Sequence, residues 1–211
     1  HSRHDLLRPG SRDRLLLERQ RAERNVERYA VRGAQQQHAM DKGELARRLP
    51  PFVMPVLLFV NAQPDEIQAA LAATPAALLQ FHGDETAAAC DAAGRPYLRA
   101  ARMAPGFDLL NFATRFPQAV GLLLDAPVEG YGGGGKAFDW SLIPAGVPHP
   151  VVLSGGLNPA NVIDGVMRVR PLAVDVSSGV EVAKGLKDAG LMSRFCEAVR
   201  EADARLADAI T

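Results

Sequence analysis

The chain has 211 residues, is 47% hydrophobic and 23% charged, and sets 24 Lys and Arg against 24 Asp and Glu. This composition excludes a chain disordered throughout, and its 19 glycines and 15 prolines follow no G-X-Y period that would make a fibre. No apolar run approaches the ~18 residues that a membrane-spanning helix needs. The polar, basic opening residues lack the apolar centre of a secretory signal. Cys90 and Cys196 are far apart and match no metal or redox spacing, so both are expected to be reduced packing thiols in a cytoplasmic protein.

The zero net charge is divided unevenly. Residues 1–49 carry 12 basic and 7 acidic side chains and no Ile, Phe or Trp; residues 50–211 carry 12 basic and 17 acidic and hold the core-forming residues. Two segments are therefore expected to meet near Leu49-Pro50-Pro51: an atypical basic segment at 1–49, disordered or helical over Asp13 to Arg28, and a folded domain at 50–211.

From Pro55 onward, short apolar runs alternate with helix-like stretches. The runs are Val56-Leu57-Leu58-Phe59-Val60, Leu78-Leu79-Gln80-Phe81, Tyr97-Leu98-Arg99-Ala100, Val120-Gly121-Leu122-Leu123-Leu124, Val151-Val152-Leu153 and Leu172-Ala173-Val174-Asp175-Val176. Continuous runs of this kind suit parallel strands buried on both faces. Helix starts are predicted at Pro64-Asp65-Glu66, at Asp84-Glu85-Thr86 and at Asn158-Pro159, where prolines and acidic residues suit a first turn. The repeat of 20 to 29 residues between strand ends is that of successive βα units, six of them visible. An open doubly wound sheet can hold six such strands; a (β/α)8 barrel needs two more.

In a barrel, working groups sit where strands end. Those positions hold Asn61, His82, Arg102, Asp125, Ser154-Gly155-Gly156 and Ser177-Ser178-Gly179. Glycines directly after a strand let backbone N–H groups converge on an anion, so Gly155, Gly156, Ser177, Ser178 and Gly179 read as a phosphate grip. Tight turns alone would also account for either glycine pair. Asp125 ends the most hydrophobic run, where desolvation would raise its pKa and suit it to act as a general acid; a plain cap is the other reading. Gly130 to Lys136 satisfies G-x-x-x-x-G-K, but Ala137 stands where a magnesium-holding hydroxyl belongs, so a mobile lid is expected instead. His82 with Asp84 and Glu85 reads as a cap beside a pocket, not a metal site. Arg99 and Arg102 could meet an anion or form salt bridges between helices.

Five stretches taken in order give a family likeness. Leu78 to Glu85 (LLQFHGDE), Leu123-Leu124-Asp125, Gly132 to Trp140, Leu153 to Leu157 (LSGGL) and Ala173 to Glu181 (AVDVSSGVE) together resemble phosphoribosylanthranilate isomerase. The resemblance runs from about Leu49 to the C-terminal helix. It implies a cofactor-free (β/α)8 TIM barrel of α/β class, whose first two βα units are aberrant or missing here. It also implies a cytoplasmic monomer or homodimer. The implied reaction is an Amadori rearrangement in tryptophan biosynthesis, with Asp125 as acid, His82 and Arg102 at the substrate, and the glycine turns on its 5′-phosphate.

One part of the family pattern is missing. The family's base is a cysteine in a Lys-x-Cys-Gly motif ending the first strand, and an arginine after the second strand meets the anthranilate carboxylate. Neither Cys90 nor Cys196 precedes a glycine, and residues 1–49 hold no cysteine. The eleven arginines of that segment suggest an out-of-frame or replaced start, with impaired activity and stability; His38 is the one N-terminal candidate for a substitute base. Indoleglycerol phosphate synthases would want early lysines, and pentose-phosphate epimerases metal-binding histidines. A rival of another class is a non-catalytic phosphoribosyl-binding barrel with a basic arm on nucleic acid. Asp13, Glu18, Glu23 and Glu27 in that arm argue against it.

Overall fold

The computed structural model describes Ala46, residues 48–127 and residues 137–209. The expectations for residues 1–45, including His38, and for the glycine-rich lid at 130–136 lie outside the described residues.

Six parallel strands form one sheet: β1 (Val56–Phe59), β2 (Leu78–Phe81), β3 (Tyr97–Arg102), β4 (Gly121–Asp125), β5 (Val151–Leu153) and β6 (Ala173–Val174). They pair in chain order, β1 beside β2 through to β6. A doubly wound sheet reverses its strand order at a switch point. This one does not, so the crossovers run in a single sense, as in a barrel wall. The six βα units read from the sequence are all present as strands, and the architecture is α/β with a parallel part-barrel sheet.

The helices are α1 (Pro64–Ala73), α2 (Ala87–Ala92), α3 (Leu109–Thr114), α4 (Val162–Val169) and α5 (Ala189–Asp208). Helix α1 begins where Pro64 predicts, with Gln63 and Glu66 forming a reciprocal cap, and it buries Ile67 and Leu71. Helix α2 starts later than the Asp84-Glu85 signal suggests. Its cap is Thr86, whose hydroxyl accepts from Ala89 N at 3.2 Å, a contact worth about 1 kcal/mol. Helix α4 begins at Val162, since Asn158 to Asn161 form a turn of their own. Between β4 and β5 the described residues hold a single 3-10 turn, Trp140–Leu142, capped by Asp139. The hairpin of β7 (Glu181–Ala183) and β8 (Leu186–Lys187) has no counterpart in the sequence expectations.

Strand β4 is buried along its whole length. Leu123 points inward with Val56, Leu78, Leu98, Ala100, Val152 and Ala173, one or two side chains from every strand of the sheet. Leu122 and Leu124 point outward, to the layer that contains Val162, Val166, Phe195 and Val199 of α4 and α5. Each such leucine contributes about 2–3 kcal/mol on burial. No helix among the described residues is long and apolar enough to cross a membrane.

Cys90 lies fully buried in a cluster with Phe81 and Tyr97. Burial pushes its thiol up to about 11, Arg99 opposing. It should therefore resist a thiol reagent at pH 8 in the folded protein and react only on unfolding, because the thiolate is the reactive form. Counting reacted thiols before and after denaturant checks this. Prompt labelling of Cys90 in the native state would contradict the packing.

Candidate active site

The carboxyl ends of β2, β3, β4 and β5 converge on Asp125. This residue is 5% exposed, and its two oxygens face different partners. Oδ2 lies 3.0 Å from His82 Nε2, at the end of β2, and Oδ1 accepts from Ala126 N at 2.9 Å. Gln80 Nε2 lies 3.1 Å from His82 Nδ1. An amide nitrogen can only donate, so Nδ1 accepts and the ring presents an Nε2–H to Asp125. The setting is thus more polar than burial against Leu122-Leu123-Leu124 suggests. Gln80 supplies half of it, from inside an apolar run where a lone polar residue is the one visible signal.

Arg102 ends β3 beside Asp125 in the strand register. It donates to His82 O at 3.1 Å and lies 3.6 Å from Asp84 Oδ1, its side chain about a third exposed. Arg99 takes the salt-bridge alternative, but with Glu85 of the loop after β2, Oε2 at 3.5 Å, and not between helices; it is 4% exposed and also donates to the carbonyls of Phe81 and Gly83. Burial pushes its pKa down from the ordinary value, Glu85 pulling the other way.

The Gly155 turn lies against Asp125, and the two glycine turns lie against each other. Gly155 adopts φ +74°, and a Cβ there would stand 2.2 Å from Ala126 N and 2.9 Å from Asp125 Oδ1. Gly156 is also left-handed, φ +72°, and its carbonyl accepts from Asn161 Nδ2 at 3.0 Å. A Cβ on Gly179 would stand 1.8 Å from Leu157 O, so the 154–157 and 177–179 turns abut. Ser154 Oγ donates to Asp175 Oδ2 at 2.8 Å, joining the ends of β5 and β6. Lys187 of β8 reaches back to donate to Ser177 O at 2.7 Å and to pair with Glu181. Asp175 and Lys187 were not among the expected site residues. Asp175 could have been suspected, like Gln80, from a polar side chain inside an apolar run. Among the described residues, no group of three or more His, Cys, Asp or Glu side chains is placed to hold a metal ion.

The model of the N-(5'-phosphoribosyl)anthranilate (PRA) isomerase family matches residues 16–198. The chain belongs to this family. The match starts well before Leu49, where the motif likeness begins. The isomerase of Leptothrix cholodnii is 74% identical over 166 residues, which is 79% of this chain and 76% of that one. A crystal structure of a family member in complex with reduced 1-(o-carboxyphenylamino)-1-deoxyribulose 5-phosphate is 32% identical, with a TM-score of 0.60 over 75% of this chain and 77% of that one. Monomers generated from the dimeric isomerase of Thermotoga maritima are 29% identical, with a TM-score of 0.65 over 89% and 94% of the respective chains. The likeness to those solved isomerases extends over three quarters or more of this chain.

Proposed function

We propose that this chain is the barrel of a PRA isomerase, a cytoplasmic enzyme of tryptophan biosynthesis acting on N-(5-phosphoribosyl)anthranilate. The observation that carries the reading is the meeting of Asp125, His82 and the Gly155 turn at the carboxyl rim in a chain of this family.

The residues divide the work as follows. The turns at Gly155-Gly156 and Ser177-Ser178-Gly179 hold the 5′-phosphate by backbone N–H groups, so binding energy far from the reacting carbon fixes its orientation. Asp125, with His82 bonded to Oδ2, delivers a proton to the ribose ring oxygen as the C1′–O4′ bond breaks. The nitrogen lone pair closes a C1′=N Schiff base. A base then removes the C2′ proton, those electrons form C1′=C2′ and neutralise the nitrogen, and the resulting enolamine rearranges to the aminoketose. Arg102 lies beside His82 and Asp84, where it can meet the substrate's polar edge. No cofactor enters these steps.

The base step is the one for which the sequence offers no family group. Neither of the chain's two cysteines precedes a glycine. This chain alone should therefore fail to rescue an isomerase-deficient tryptophan auxotroph. The same residues from Pro50 onward, preceded by the first two βα units of the Leptothrix cholodnii relative, should rescue it. Growth with the unaltered chain would place a base elsewhere; failure of both versions would count against the isomerase reading.

A further inference from the structure

The reaction above makes no use of Arg99, although a fully charged guanidinium inside the wall of a small barrel needs a reason. Removing an ion pair from water costs several kcal/mol per ion, and replacing buried pairs by apolar groups is often neutral or stabilising. Stability alone is a weak account of it.

The geometry around Arg99 is specific. Its NH1 donates to Phe81 O at 2.8 Å and its NH2 to Gly83 O at 2.9 Å, with Glu85 O at 3.5 Å. The guanidinium carbon lies 4.8 Å from the ring centre of Phe116 and 5.5 Å from that of Phe112. Its counter-ion is Glu85, Oε2 at 3.5 Å, both side chains 5% exposed. Glu85 in turn accepts from Gly83 N at 2.9 Å and from Asn61 N at 2.7 Å. Asn61 Oδ1 accepts from Asp84 N at 2.7 Å. His82 N donates to Phe59 O at 2.9 Å, and His82 O accepts from Arg102. From Phe81 to Glu85, successive backbone groups are gripped from below by Arg99 and from the β1 side by Asn61. A Cβ on Gly83 would lie 2.4 Å from Asn61 Oδ1, so the loop has no slack there. What this loop presents to the rim is the imidazole of His82, bonded to Asp125.

We propose that Arg99, with Glu85 as its counter-ion, is a positioning residue that keeps the His82 ring on the Asp125 carboxylate. The role rests on the reading of Asp125 as the working acid, but its test needs no turnover. Arg99 touches neither reacting atom; it acts through the 81–85 backbone. Five N–H donors in a fixed fork suit it to hold two carbonyls and a carboxylate at once, which a lysine could not do.

The test uses the full chain labelled with 15N-histidine. The His82 Nε2–H resonance is identified by its loss in H82N, and its exchange with water is measured. The double variant R99M/E85Q removes both charges together, so no lone ion is left buried. While it still melts cooperatively, its His82 Nε2–H should exchange at least about tenfold faster, or broaden beyond detection. An exchange rate within about twofold of the parent's would overturn the proposal. If the double variant does not melt cooperatively, N61A decides by the same criterion from the other side of the loop. N61D, which keeps the acceptor for Asp84 N, should then restore the parent rate; N61A leaving the rate unchanged would overturn the proposal. Failure of complementation leaves this readout untouched, so the two readings fail separately.

Discussion

Gly155→Ala should cost this chain about 3 kcal/mol or more, and, on the proposal that the glycine turns grip the 5′-phosphate, Gly179→Ala should weaken sugar-phosphate binding at least about tenfold. At Gly155 two penalties combine. A left-handed φ of +74° costs an alanine about 1–2 kcal/mol, and its Cβ would sit 2.2 Å from the backbone nitrogen of Ala126, which no side-chain rotation can relieve. The β4 end, Asp125 included, would have to move. For a domain stable by about 5–15 kcal/mol such a loss is large, and a fall in the urea midpoint at constant slope would report it. At Gly179 the obstacle is Leu157 O, 1.8 Å from the added Cβ, so an alanine forces the two turns apart. Titration with ribose 5-phosphate, read by calorimetry, checks the consequence. Unchanged affinity in a folded Gly179→Ala protein would remove the phosphate from these turns.

Asp125→Asn should lower the turnover of the version carrying the relative's first two βα units by about 100-fold to 10,000-fold, the usual worth of a placed acid or base. Asparagine fills about the same volume and its one oxygen can still accept from Ala126 N, keeping the rim in place, while its amide nitrogen faces His82 and can only donate to it. What it cannot do is give up a proton to the ring oxygen. On the proposed hold of the phosphate by the glycine turns' backbone, turnover should fall with little change in KM. A variant with ordinary turnover would transfer the acid role to another group.

The strands were legible because parallel strands covered on both faces leave an unbroken apolar run, and β2 and β5 coincide with their runs. Strand β6 is only Ala173–Val174, although Asp175 N still donates to Leu153 O at 2.8 Å while its side chain accepts from Ser154 Oγ. The start of α2 was misplaced because Glu85, an ordinary first-turn residue by sequence, spends both oxygens on Gly83 N and Asn61 N. Nothing local in the sequence distinguishes a buried Arg99 from an exposed one, so it leaves open which anion or element the side chain meets. Its partners, Phe81 O, Gly83 O and Glu85, come together only through the β2–β3 pairing. The β7–β8 hairpin leaves little trace in the sequence because Glu181 to Lys187 shows little apolar alternation, Val182 and Leu186 being exposed. His82, Asp125 and the glycine turns were legible as strand-end residues; that His82 bonds Asp125 was not, since they are 43 positions apart.

Strands that pair in chain order give the sheet a nearest-neighbour character. Each βα unit meets chiefly the units just before and just after it, so exchanging a unit at the leading end alters one seam and leaves the seams from β2 to β6 untouched. Such a scaffold is modular in a way that a sheet with interleaved strands is not. Grafting upstream units from relatives becomes a route to sort which contacts tune turnover and which only close the wall.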